Sequence, residues 1–364
     1  MNKLKKSVYN MLPSLLAVII ALIAGSLIMI SRGVNPIEAY AVMFKSALYQ
    51  SSPKFPFNGL AKTLVFATPL MFSAIAVMFA YKAGLFNIGV QGQLAAGGLG
   101  AVIGGTIVAS NLKFLGPINI VITLFFAAAC GFIWAAIAGV LKSKFNINEV
   151  ISTIMLNYVM INLQRYLINP STGPLRDPAS SNNQSSRIEE VSRLPLFFYN
   201  YTKQNLNLGF IIIIVLVLFS YYFFEKTRLG YEIKAVGYNP TSAENAGINP
   251  KLISFIAMGL SGAIAGLGGA ERVMGGAAEY RFTDLIMGDY GFTGLAIALL
   301  GNNNPFGILV ASIFYASLEI GGQTLQRQFK LDKEIVFIIQ ALIIILVAAE
   351  NLFKMLLNKR KGNK

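Results

Sequence analysis

The sequence predicts an all-α polytopic integral membrane protein with about ten transmembrane helices, two structurally related halves and a short capped helix in a cytoplasmic connector. Three observations predict it. The chain is 55% hydrophobic, with a positive mean hydropathy. Only 13% of its residues are charged, against about 25% in a soluble domain. The deficit runs the whole length, as many apolar stretches of the roughly 20 residues that cross a bilayer as a helix.

The N-terminal segment is basic at Lys3, Lys5 and Lys6 and then apolar from Leu12 to Ile30. That core is longer than the roughly 7–15 residues of a secretory signal, so a retained first helix is expected over 12–30. Further apolar runs place helices at 59–80, 84–110, 117–141, 148–168, 209–224, 252–270, 283–300, 306–320 and 334–350. The whole of 1–364 reads as a single transmembrane domain. Lysines and arginines are denser in the loops that share a side with the two termini, which puts both ends in the cytoplasm. On that orientation 31–58 and 170–208 are external, and 225–251 is cytoplasmic.

The third run opens "GLFNIGVQGQLAAGGLG" over 84–100, where glycines and amides interrupt an apolar stretch. The third run of the second half, 283–301, is interrupted by glycine in the same way. Paired interruptions at matching positions mark a solute pathway in membrane proteins built from repeats. In the fifth run, Glu149, Thr153 and Asn157 follow at intervals of four and face one side of a helix. With Asn87, Gln91 and Gln93 they offer donors and acceptors to an uncharged polar solute. Hydrogen bonding between helices is the competing reading for each. Glu149, Arg165, Asp284, Asp289 and Glu319 fall near run ends and read as interfacial, which argues against a proton-coupled carrier with a midplane carboxylate.

What is missing excludes much chemistry. There is no histidine, and one cysteine, Cys130, lies inside an apolar run. Ser-His-Asp catalysis, zinc sites and disulfide frameworks are therefore ruled out. No phosphate-binding loop occurs, since "NGLAKT" at 58–63 lacks the spacing. Gly262 and Gly266, in "GLSGAIAGLGGAE", form a G-x-x-x-G pair suited to close helix packing. The net charge of +14 sits in connectors and termini, where membrane lipid rather than nucleic acid explains it. No cofactor, no metal and no catalytic residue is expected.

Two connectors carry their own signals. Residues 170–208 are rich in Pro, Ser and Asn, and read as a solvated linker or a docking surface. In 225–251, Thr241 and Glu244 have the spacing of a capping box, Gly247 offers a C-terminal stop and Pro250 prevents continuation. One or two turns of helix have little stability alone, so headgroups or a protein groove must hold them.

With "YKAGLFNIGVQGQ" (81–93), "NEVISTIMLNY" (148–158), "RLGYEIKAVGYNPTSAENAGI" (228–248) and "GFTGLAIALLGNNNPFG" (291–307), the sequence resembles a known family. These are the membrane permease subunits of bacterial ATP-binding-cassette (ABC) importers for nucleosides, related to those for ribose and branched-chain amino acids. The resemblance implies a non-catalytic permease in the bacterial cell membrane that forms the path for nucleosides. It implies as partners an external substrate-binding lipoprotein, an ABC ATPase subunit that hydrolyses the ATP, and a second, different permease. It also assigns Asn239, Pro240, Ala243, Glu244, Ala246 and Gly247 to a coupling helix that enters a groove on the ATPase. The alternatives are a permease for simple sugars or branched-chain amino acids, and, in another class, an ion-coupled secondary carrier. A membrane-embedded enzyme has no nucleophile–base pair to support it.

Overall fold

The computed structural model describes residues 19–20, 22–49 and 56–348. In chain order the helices are α1 (Leu22–Ser31), α2 (Pro36–Leu48), α3 (Asn58–Lys82), α4 (Val90–Asn111), α5 (Ile118–Phe145), α6 (Glu149–Leu167), α7 (Leu208–Lys226), α8 (Arg228–Tyr238), α9 (Pro240–Asn245), α10 (Pro250–Met274), α11 (Tyr290–Leu300), α12 (Pro305–Phe329) and α13 (Lys333–Ala348). Among the described residues β-structure is limited to isolated bridges. Among the described residues six helices, α3, α4, α5, α7, α10 and α12, are long and apolar enough to cross a membrane. The start of the expected first span at 12 and the end of the last at 350 lie outside the described residues.

Three of the differences from the sequence-based expectation have a plain local reason. The connector 31–58 contains α2, whose N-cap Asn35 accepts a hydrogen bond from the Ile37 amide at 3.1 Å. The expected span 283–300 is helical only over Tyr290–Leu300, because the chain before it turns through Gly276 and Gly288 at positive φ. The expected span 84–110 starts at Val90, six residues late, because Gly84 leaves α3 at φ 74°.

The described residues form two compact units, those before 64 with those after 312, and 64–312. In the first, Met29, Met43, Leu318, Val336 and Ile339 make a common core. Two polar side chains there are satisfied within the unit: Tyr40 Oη donates to the Leu22 carbonyl at 2.9 Å and Gln340 Nε2 to that of Leu318 at 2.8 Å.

The second unit is built on direct backbone contact between α4, α5 and α10. A Cβ at Gly266 would meet the Ala127 carbonyl oxygen and, at 3.2 Å, the Gly131 Cα. A Cβ at Gly97 would strike the Gly266 backbone, and one at Gly131 the Gly262 carbonyl. Small residues that let helices close to this distance supply the packing that apolar side chains cannot provide against lipid tails.

Candidate functional site: a braced helix break

Between α3 and α4 the chain leaves helical geometry over 83–89, in the middle of this packed unit. Backbone N–H and C=O groups freed in an apolar bundle must find other partners. Side-chain amides supply them. The Gly89 amide donates to Asn87 Oδ1 at 2.9 Å. The Gly92 amide, in the first turn of α4, donates to Asn157 Oδ1 at 2.8 Å, and Asn157 Nδ2 donates to the Ile88 carbonyl at 2.9 Å. Asn157 of α6 thus caps α4 from outside it.

A second layer fixes the first. Asn87 and Gln93 exchange two hydrogen bonds, Nδ2 to Oε1 at 2.9 Å and Nε2 to Oδ1 at 3.1 Å. Asn87 Nδ2 also donates to Ser261 Oγ of α10 at 2.9 Å. Asn87, Gln93, Asn157 and Ser261 are all buried. Gln91 reaches the other interrupted segment: its Nε2 donates to the Gly288 carbonyl, and its Oε1 accepts from the Gly291 amide at 2.7 Å. Thr153 Oγ1 donates to the Glu149 carbonyl at 2.6 Å. The Glu149 carboxylate pairs with Lys142 at 2.9 Å. The six residues expected to line a pathway are therefore gathered around one break, and each has a partner within the chain.

The capped helix expected in the 225–251 connector is also present. α9 is capped by Asn239, whose Oδ1 accepts from the Ser242 amide at 3.0 Å. The cap is Asn239 rather than Thr241, because Pro240 occupies the first helical position, where no N–H is needed and φ is already set. At the other end Gly247 has φ 82°, its amide donates to the Glu244 carbonyl at 2.9 Å and that of Ile248 to Ala243 at 3.0 Å. This double bond pattern closes a helix C-terminus through a left-handed residue. Asn239, Pro240, Glu244, Ala246 and Gly247 are exposed, whereas Ala243 is buried against the chain itself.

Just before it runs α8, an amphipathic helix that the sequence reading did not separate. It buries Ile233 and Val236, exposes Tyr231 and Tyr238, and is tied by a 3.0 Å ion pair from Lys234 to Glu225. Gly237 of α8 lies on the end of α3: a Cβ there would meet the Lys82 carbonyl and, at 3.0 Å, the Gly84 amide. Sequence reasoning also passed over Glu271, one residue beyond its span ending at 270. The helix continues to Met274 and buries that carboxylate.

A helical membrane bundle with a braced break inside and a capped helix exposed at one end is the frame of a transport permease. The chain belongs to the branched-chain amino acid transport system/permease component family, whose family model matches residues 59–348. It is 34% identical over 354 residues to a glucose ABC transporter permease of Haloferax volcanii, covering 93% of this chain and 87% of that one. It is 32% identical over 358 residues to a guanosine ABC transporter permease of Bacillus subtilis, covering 98% of each. To a nucleoside ABC transporter permease of Lactococcus lactis it is 33% identical over 369 residues, covering 100% and 96%. A second, more distant permease of the same description from each of these two bacteria matches 72% of this chain. No solved structure matches the chain.

Proposed function

We propose that the chain is the transmembrane permease subunit of an ABC importer for nucleosides. The observation that carries this is end-to-end similarity to guanosine and nucleoside permeases, over 98% and 100% of the chain. ATP hydrolysis resides on a separate ATPase subunit. The exposed edge of α9, from Asn239 to Gly247, docks there, with Ala243 seating the helix on its own chain. An external binding lipoprotein delivers solute to the face carrying 170–208, and both termini lie in the cytoplasm. The second permease is a different chain, a reading supported by the two unlike relatives found in each of two bacteria.

In this mechanism the break at 83–89 is the moving part of the path. Asn87 and Asn157 keep its backbone satisfied and Gln91, Gln93, Glu149 and Thr153 gather around it while it lines the passage, since non-helical backbone at membrane depth is tolerated where it borders a cavity. ATP-driven closure of the ATPases moves α9, and the path opens to alternate sides.

The test is ATP-driven uptake in proteoliposomes holding both permeases, the ATPase and the binding protein. Guanosine accumulation that requires ATP is the expected result. Uptake by this chain alone, driven by an ion gradient, identifies a secondary carrier instead. Glucose uptake without nucleoside uptake establishes the sugar reading, which the Haloferax relative favours. Gly247→Val, at a left-handed backbone position, should abolish solute-stimulated ATPase activity while the complex still assembles; unchanged stimulation removes the coupling role of α9.

A further inference from the structure

Glu271 lies in the last turn of α10 and is 3% exposed. Its Oε1 accepts from Asn207 Nδ2 at 2.8 Å, while Oε2 meets no hydrogen-bond partner among the described residues. Asn207 has nothing further to give. As N-cap of α7 its Oδ1 accepts from the Gly209 amide at 2.7 Å, and its Nδ2 also donates to the Asn205 carbonyl at 3.1 Å. Two glycines make room for the pair: a Cβ at Gly209 would strike the Glu271 side chain, and one at Gly275 the Asn207 amide.

Glu271 and Asn207 line a cavity of about 210 Å³ together with Lys203, Gln204, Asn205 and Arg272. Lys203 and Ala277 of the lining are exposed, so the cavity opens at the surface, beside the end of the 170–208 loop. A buried carboxylate oxygen without a donor is costly, so the site is built to receive one. The neighbouring cations are turned elsewhere. Arg272 Nε donates to the Ile286 carbonyl at 3.2 Å, and its guanidinium lies 5.0 Å from the centre of the Tyr290 ring. Lys203 Nζ lies 5.5 Å from that of Tyr199. Two positive charges beside one carboxylate disfavour a metal ion or an organic cation and leave neutral donors. The volume is below the roughly 300–1,000 Å³ of pockets that enclose a drug-sized ligand, so it takes one moiety of a larger molecule. An acidic side chain accepting from sugar hydroxyls is the chemistry by which dinucleotide folds hold ribose.

We propose that this cavity is an outer subsite for the vicinal hydroxyls of a nucleoside's ribose, with Glu271 accepting from them. The proposal rests on the nucleoside reading above. Losing the 2′-hydroxyl leaves Oε2 without its donor again, so the subsite favours ribonucleosides over deoxynucleosides.

The experiment compares ATP-driven uptake of guanosine and 2′-deoxyguanosine by the complete reconstituted transporter, at saturating binding protein, for the intact chain and for Glu271→Gln. The glutamine keeps an oxygen for Asn207 and removes the charge. A hydrogen bond to a charged group is worth about 1.5–3 kcal/mol, so guanosine uptake should fall at least about 10-fold. Deoxyguanosine uptake should change less than about threefold, and the preference for ribose should collapse. An equal loss for both solutes makes Glu271 a purely structural residue and overturns the proposal, as does no loss for either. Absence of any nucleoside uptake by the intact transporter overturns the nucleoside reading itself, and the subsite with it. If Glu271→Gln does not assemble, Ala277→Cys in a C130S chain reports on the rim. Maleimide labelling slowed by guanosine more than by deoxyguanosine supports the subsite; equal rates overturn it.

Discussion

Around the break at 83–89 the amides are saturated, whereas at the end of α10 a carboxylate holds one oxygen in reserve. Both regions are buried and polar within the same compact unit, and both depend on asparagine. Asn157 spends its oxygen and its nitrogen on backbone that lost its helical partners. Asn207 spends its own on holding Glu271 and capping α7. Burial of a polar side chain does not by itself mark a binding site. The distinguishing feature is hydrogen-bonding capacity left over once the protein's own backbone has been served.

The comparison breaks first if the bundle does not need its close contacts. Gly266→Leu places a side chain against the Ala127 and Gly131 backbones, which cannot move aside as a side chain can. Overpacking costs typically about 1–3 kcal/mol, and here the upper end or beyond is expected, read as loss of monodisperse protein on size exclusion. A well-behaved variant with unchanged thermal unfolding would show the break to be independent of the packing around it.

Asn157→Leu comes next. It strands the Gly92 amide and the Ile88 carbonyl, at about 1–3 kcal/mol for each buried group left without a partner. The thermal midpoint should fall well below that of Glu271→Gln, which leaves Asn207 its acceptor. Equal destabilisation of the two variants would erase the distinction between saturated and reserved groups. Gln91→Leu should have a smaller effect, about 1–2 kcal/mol, since the Gly291 amide sits at a helix start with other routes to satisfaction. Faster hydrogen exchange confined to 286–292 is the expected signature, and exchange unchanged there would deny the bridge.

The smallest effect is electrostatic and lies in the 170–208 loop. The Ala179 amide and the Arg281 guanidinium hold the Asp177 carboxyl below its usual range. A depressed carboxylate stabilises the fold above its ordinary pKa and loses that contribution as pH falls through the lowered value. Protection of the loop should therefore persist at neutral pH and weaken only below about pH 4. The ion pair contributes under about 1 kcal/mol. Limited proteolysis of the intact chain and of Asp177→Asn, by pepsin in acid and by a neutral protease near pH 7, should converge in acid. Equal protection at neutral pH would show the pair to be idle.

Much of this architecture was legible in the residues. Hydropathy alone located the helices from α3 to α7, and "GLFNIGVQGQ" announced a break. The stop at Gly247 followed from its position after a short helix. What stayed hidden depends on partners remote in sequence. That Asn157 caps a helix through Gly92, 65 residues earlier in the chain, leaves no local trace. Glu271 lay one residue beyond the expected span, and the partner that holds it inside lies 64 residues away. α2 had a readable Asn35–Pro36 start, but its neighbours were too mixed in polarity to read as a span. The choice of Asn239 over Thr241 as cap turned on a proline between them.

The contact between Gly84 and Gly237 makes the exposed capped helix and the break mechanical neighbours. α9 follows α8 after one residue, α8 rests backbone to backbone on the end of α3, and the break begins at that end. On the proposed coupling role, a push delivered at α9 would pass along α8 and through a contact made by two glycine backbones. Such a joint has little slack, so the linkage is short and stiff.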